Sequence, residues 1–207
     1  MCSTLKEISI PDSVETIGSQ AFWNCSSLKK AVIGNGTTTI NNSVFQGCSN
    51  LESLILGDSV ETIGTTAFSG CTKLTGVSLP ASVRTIGGSA FSNCQSIENV
   101  ELNEGLESIG TLAFNGCSNI ETIVIPDGIT TIEASTFTNC SSLKNLTIPE
   151  SVVEIKASAF QGCDSLTQLG VPSHVTTLGA HAFQGCDGLT DVTITNATTS
   201  IGEQAFF

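Results

Sequence analysis

Apolar and polar positions along this chain recur with a period of 23 residues. In the unit that opens at Cys94, the apolar places are Ile97, Val100, Leu102, Leu106, Ile109, Ala113 and Phe114. Val100 and Leu102 flank Glu101 in strict alternation, which predicts a short strand with one face buried. Sister segments are Ile8-Ser9-Ile10, Leu54-Ile55-Leu56, Val77-Ser78-Leu79, Ile123-Val124-Ile125 and Leu146-Thr147-Ile148. Pro11, Pro80, Pro126, Pro149 and Pro172 follow and stop the strand, because proline has no N–H to give to a ladder. A second extended piece comes next, as in Val60-Glu61-Thr62-Ile63 and Val83-Arg84-Thr85-Ile86, rich in β-branched residues. Gly18, Gly64, Gly87, Gly110, Gly179 and Gly202 then predict a bend. The short Ala-Phe-x-[Gly/Asn]-Cys stretch leaves room for one helical or 3₁₀ turn.

The register never slips. Cysteines stand at Cys2, Cys25, Cys48, Cys71, Cys94, Cys117, Cys140, Cys163 and Cys186, and phenylalanines from Phe22 to Phe206 keep the same step. Nine units of 23 fill all 207 residues. A fixed period in this range predicts a solenoid of nine stacked coils, mostly parallel β, in which each coil covers the apolar face of the next. The unit 1–207 reads as one repeat domain, and its abrupt opening and close inside repeats read as a piece of a longer array. Two coils depart from the pattern and are expected to be the loosest. Coil two has Ala31, Gly34, Thr37, Asn41 and Val44; coil nine has Thr195 and Thr198 at the proline and valine places.

The coil Leu5-Lys6-Glu7-Ile8-Ser9-Ile10-Pro11-Asp12-Ser13-Val14-Glu15-Thr16-Ile17-Gly18-Ser19-Gln20-Ala21-Phe22 resembles the repeat of the BspA-like leucine-rich-repeat proteins, surface proteins of bacteria and parasitic protists. The likeness extends over all nine units. It implies a right-handed leucine-rich-repeat array of the α/β horseshoe class, exposed at a cell surface or secreted. It also implies adhesion to extracellular-matrix proteins, other cells or host receptors, with no enzymatic activity.

Composition narrows the partners. Hydrophobic content of 40% with 13% charged residues excludes disorder. The net charge of -12, with only seven cations, argues against nucleic acid and against anionic lipid. No run of 18 apolar residues is present to insert into a membrane.

Candidate chemistry is sparse. No C-x-x-C or Cys/His ligand set suggests zinc, and parallel Cβ vectors about 4.8 Å apart suit buried thiols better than disulfides. His174 and His181 are the only histidines and read as exposed loop residues without an oriented partner. Asp12, Asp58, Glu104, Asp127 and Glu150 follow the first strand; turn preference accounts for them better than calcium, since Asn35, Ala81, Ser173 and Asn196 interrupt the column. The hydroxyl row Thr16, Thr39, Thr62, Thr85, Ser108, Thr131, Thr177 and Ser200 suits an exposed strand better than an ice-binding face. No catalytic motif, cofactor or metal is expected.

What remains is the outer face of the first ladder, the surface a repeat protein offers to partners. Its outward residues vary where the core does not, and Lys30, Val32, Ile55, Glu101, Val124, Asn145 and Gln168 are the candidates for protein binding. Val32 and Ile55 form an exposed apolar pair on adjacent coils. Sequons at Asn24, Asn35, Asn41, Asn139, Asn145 and Asn196 would accept glycans in a secreted eukaryotic protein, and one on Asn145 would crowd this face. Two readings stand: a cell-surface recognition module, or an intracellular scaffold for protein contacts, which free thiols would suit.

Overall fold

The computed structural model describes residues 2–207. Alternation at the head of each coil gives one strand per coil, and these pair in parallel into a first ladder. Numbered along the chain, they are β1 (Glu7–Ile10), β2 (Lys30–Ile33), β4 (Ser53–Ile55), β6 (Gly76–Ser78), β8 (Asn99–Glu101), β10 (Thr122–Val124), β12 (Asn145–Thr147), β14 (Gln168–Gly170) and β16 (Asp191–Thr193). The β-branched segments give two-residue strands of a second ladder: β3 (Thr39–Ile40), β5 (Thr62–Ile63), β7 (Thr85–Ile86), β9 (Ser108–Ile109), β11 (Thr131–Ile132), β13 (Glu154–Ile155), β15 (Thr177–Leu178) and β17 (Ser200–Ile201). Ile17 bridges to Ile40 below β3. Every pairing joins residues 23 apart, as in Val32 opposite Ile55 and Thr62 opposite Thr85.

Both ladders have gaps, and the gaps are staggered. The first is interrupted between β4 and β6 and between β12 and β14, where the second runs through; the second is interrupted between β9 and β11, where β8 and β10 still pair. Each coil junction therefore keeps at least one ladder. The proline carbonyls also serve, closing turns by accepting the N–H of Val14, Val83, Ile129, Val152 and Val175 at 3.0–3.2 Å.

Between the ladders lies a dry interior. Phe45, Phe68, Phe91, Phe114, Phe137, Phe160 and Phe183 are fully buried. From Phe22 to Phe206 the rings stack with centroids 5.2–5.6 Å apart and interplanar angles of 3–9°. Burying each such ring stabilises by about 1.5–3 kcal/mol. Alongside them run the columns of Leu28, Leu51 and Leu74 and of Ile40, Ile63 and Ile86.

The expected helical turn is absent. Among the described residues the segment before each cysteine holds only hydrogen-bonded turns. Gln20, Ser43, Thr66, Ser89, Leu112, Ser135, Ser158, His181 and Gln204 all have φ between 52 and 63°, and the residue just before most of the cysteines is an asparagine or glycine at positive φ as well. A left-handed residue every four positions breaks the run of right-handed φ/ψ that a helix requires. The N–H groups alternate instead. Those of Ser43, Phe45 and Gly47 reach the next coil at Thr65, Ala67 and Ser69 (2.8–3.0 Å), while those of Gln46 and Cys48 close local turns. The outcome is a third set of coil-to-coil bonds in place of a helix. The glycines expected to permit a bend act differently. Gly110 and Gly179 do not lie at positive φ; a Cβ there would come within 2.5 Å of the backbone beneath, at Gly88 and Ala157.

Eight of the nine cysteines are buried, all nine are free thiols, and only Cys2 is exposed. From Cys48 to Cys186 each Sγ donates to the carbonyl of a phenylalanine 26 residues earlier, as in Cys94 to Phe68 at 3.2 Å. The same carbonyl already accepts a backbone N–H, as Phe68 does from Cys71. The cysteine is thus a small hydrophobe that also fills the second lone pair of a buried carbonyl.

Candidate functional site

All seven candidate residues lie on the outer face of the first ladder: Lys30 and Val32 on β2, Ile55 on β4, Glu101 on β8, Val124 on β10, Asn145 on β12 and Gln168 on β14. Period-two geometry puts them there, since the residues between them turn into the core. Val32 faces Ile55 across the ladder. Ile55 and Val124 are the most open apolar side chains of the face, at 50% and 53% exposure, while Val32 is half-buried. Asn145 donates from Nδ2 to Thr122 Oγ1 at 3.3 Å, and Ser78 Oγ donates to Glu101 Oε2 at 3.1 Å. Gln168 stands beyond the second gap of the ladder, and Lys30 is six coils away from it. The seven residues therefore form a stripe, and only its middle part converges.

That middle part includes residues the sequence reading passed over. Glu98, Asn99, Asn119, Glu121 and Ser142 line a hollow of about 480 Å³ beside β8 and β10. Glu121 is paired with Lys144 at 2.9 Å. Among the described residues no cation lies within ion-pair distance of Glu98, Glu101, Glu104 or Glu107. The signal was present in the chain as four glutamates three residues apart in one coil. It is part of a wider asymmetry: residues 94–207 hold 13 of the 19 acidic and two of the seven basic side chains.

Other candidates resolve into structural roles. The turn acids bind backbone: Asp12 Oδ1 accepts the Asn35 N–H at 2.7 Å, Asn35 Oδ1 accepts that of Asp58 at 2.8 Å, and Glu150 Oε2 accepts that of Ser173 at 3.0 Å. Among the described residues no three metal-binding side chains cluster. One expectation about the histidines is overturned, because stacking fixes a carboxylate beside His174. Its Nδ1 lies 3.3 Å from Glu150 Oε2 and 3.0 Å from the Glu150 carbonyl. The Ser173 hydroxyl, more than the histidine, holds the Glu150 carboxyl below its ordinary range. His181 is half-buried rather than exposed, with Nδ1 unpartnered at positive φ. Among the described residues no helix is long and apolar enough to cross a membrane.

Comparison with known proteins agrees with this geometry. The family model described as BspA type leucine rich repeat region matches residues 1–121 and 108–207, in six copies. Among solved structures, the leucine rich repeat protein of T. pallidum is 28% identical, with 78% of each chain covered and a TM-score of 0.75. A leucine-rich repeat protein of Bacteroides ovatus is 25% identical over 99% of this chain and 76% of its own, with a TM-score of 0.54. A leucine rich cell surface protein of Faecalibacterium prausnitzii is 26% identical over 99% of this chain and 78% of its own, at a TM-score of 0.50. No curated protein sequence matches the chain.

Proposed function

Since the chain belongs to the family of BspA-type leucine-rich repeats, we propose that it is a non-catalytic module that binds protein ligands through the outer face of its first ladder. The observation that carries this reading is the division of the molecule into invariant buried columns and one variable, unpartnered sheet face with exposed Ile55 and Val124. Cell-surface recognition of extracellular-matrix or host proteins is the finer reading, supported by the likeness to a bacterial cell surface protein. The free thiols do not favour an intracellular scaffold over it. Eight are buried, and burial pushes the Cys48 thiol up to about 12, so the reactive thiolate is suppressed.

Surface capture tests the proposal. Immobilised matrix and host-cell surface proteins are probed with the wild-type array and with Ile55→Glu/Val124→Glu. Both substitutions fall on exposed strand positions, and circular dichroism confirms the fold. Loss of capture by the variant supports the face; equal capture by both proteins removes it.

A further inference from the structure

Three hollows run in sequence across the outer face. The first, about 260 Å³, is lined by Leu54, Ile55, Leu56, Leu79 and Pro80 together with Asp58 and Ser78. The second, about 250 Å³, shares Leu54 and Ser78 with it and adds Gly76, Asn99 and Glu101. The third is the hollow between Glu98 and Glu121, which shares Asn99 with the second. Together they make one trough that offers aliphatic side chains beside Asp58 at coil three and glutamates at coils five and six. Its cause is local. The first ladder is interrupted between β4 and β6, yet Phe68 still stacks on Phe91 at 5.3 Å and β5 still pairs with β7. The strand face opens there while the core beneath stays closed, and Gly76, opposite Asn99, contributes no side chain to fill the gap.

Resting on the reading of this face as protein-binding, we propose that the trough takes an extended segment of a partner protein carrying an aliphatic side chain and, four residues later, an arginine or lysine. Charge complementarity selects the cation, because among the described residues Glu98 and Glu101 have no cationic partner, and their half of the chain is strongly acidic. Coil spacing selects the separation. Parallel coils repeat about every 4.8 Å, so Ile55 and the Glu98–Glu121 hollow lie roughly two and a half coils, or about 12 Å, apart along the axis. Both glutamates stand three residues before the column of Ile55, Ser78, Glu101 and Val124, which adds about 10 Å along the strands and makes the separation about 16 Å. An extended chain advances about 3.3 Å per residue and points alternate side chains the same way, so positions i and i+4 span about 13 Å on one side, and the long stem of an arginine or lysine covers the remainder. The aliphatic group covers Leu54 and Ile55 while the cation enters between the carboxylates.

Fluorescence anisotropy with labelled nonapeptides tests this. The probes carry leucine and arginine four apart, the same residues placed adjacent, or glutamate in place of arginine. Saturable binding of the first probe is expected, weakening steeply with salt. The glutamate probe loses about tenfold or more in affinity, and so does the first probe on Glu98→Gln/Glu101→Gln. No binding, equal binding of the three probes, or unchanged affinity of the variant overturns the proposal. Its failure is separable from that of the face itself. If the peptides fail while Ile55→Glu/Val124→Glu still abolishes protein capture, only the trough assignment falls.

Discussion

Coils two and nine depart from the repeat in related ways, yet one is closed and the other open. In coil two Ala31, Ile33, Thr37, Ile40, Val44 and Phe45 are all buried. In coil nine Val192, Ile194, Ile201 and Phe206 are 37–53% exposed. Residue identity is not the cause. Thr37 Oγ1 donates to the Val14 carbonyl at 2.8 Å, and Thr198 Oγ1 donates to the Val175 carbonyl at 2.8 Å. In two other coils a serine one place earlier does the same work, Ser82 for Val60 and Ser151 for Ile129. Coils two and nine have Gly36 and Ala197 at that serine position, so their threonines restore a donor that the valine of the consensus lacks. At Gly36 a Cβ would also collide with the Asp12 carbonyl. Coil two is therefore not loose. Gly34 even adds a ladder bond, its N–H reaching the Ile10 carbonyl at 2.8 Å, which proline could not make. What separates the two coils is cover: coil two is paired on both sides, coil nine on one. An apolar column stabilises only where both neighbours exclude water.

The sharpest way to break this comparison is to remove one ring from each coil. Phe45→Ala deletes a fully buried ring stacked on both faces and is expected to cost about 3–5 kcal/mol in a denaturant melt. Phe206→Ala removes a ring that is 39% exposed and stacked on one face, so its cost should be less than half as large. Equal costs would show that coil nine is covered in solution.

Thiol chemistry gives the next contrast. Burial raises Cys48 from the ordinary 9.0 to about 12 and also pushes Cys117 and Cys140 upward. The native state then holds protons that the unfolded chain releases. This contribution to stability is fully present below about pH 9 and is lost as pH rises toward 12. Cys186 in coil nine shifts the other way, because the neighbouring Cys163 thiol favours its thiolate. Iodoacetamide at mildly alkaline pH, read by mass spectrometry, should modify exposed Cys2 first, then Cys186, and the inner thiols only on unfolding. Labelling of Cys117 or Cys140 together with Cys186 would mean that the coils open individually.

Smaller effects are expected from the threonines. Thr37→Val restores the column residue but leaves the Val14 carbonyl without its side-chain donor in a dry site, at a cost of about 1–3 kcal/mol. Thr198→Val makes the same deletion in a coil open to water, so a few tenths of a kcal/mol is expected. If Thr37→Val instead stabilises, the donor role assigned to these threonines is wrong.

Most of the fold could be read from the chain, because the buried columns are made of residues with one dominant preference. Alternation fixed the first ladder, and the unbroken 23-residue step fixed its register. The turn segment could not be read in the same way. Its first left-handed position holds Gln20, Ser43, Leu112 and His181 and never glycine, so no residue type announces it; only the second, just before the cysteine, carries the asparagine or glycine that suits this conformation. Coil-to-coil hydrogen bonds impose that conformation, and such bonds exist only after stacking. The site was half legible. Period two placed all seven candidates on one face, but the trough depends on a gap between β4 and β6, which is a property of the ladder rather than of any residue in it.

Those left-handed positions supply the finest test of the comparison. A non-glycine residue there carries a conformational cost of roughly 1–2 kcal/mol, and glycine removes it while adding about 0.5–1 kcal/mol of unfolded-state entropy. Gln204→Gly in coil nine should therefore stabilise by a few tenths of a kcal/mol, since among the described residues its side chain makes no hydrogen bond. Ser43→Gly in coil two relieves the same conformation at φ 58° but also deletes the 2.7 Å bond between Ser43 Oγ and Thr66 Oγ1, so the two effects offset one another. Thermal melts of the pair decide the matter. A clear loss for Gln204→Gly would show that the open coil, like the closed one, draws stability from its side chains at this position, and that backbone conformation is not what limits it.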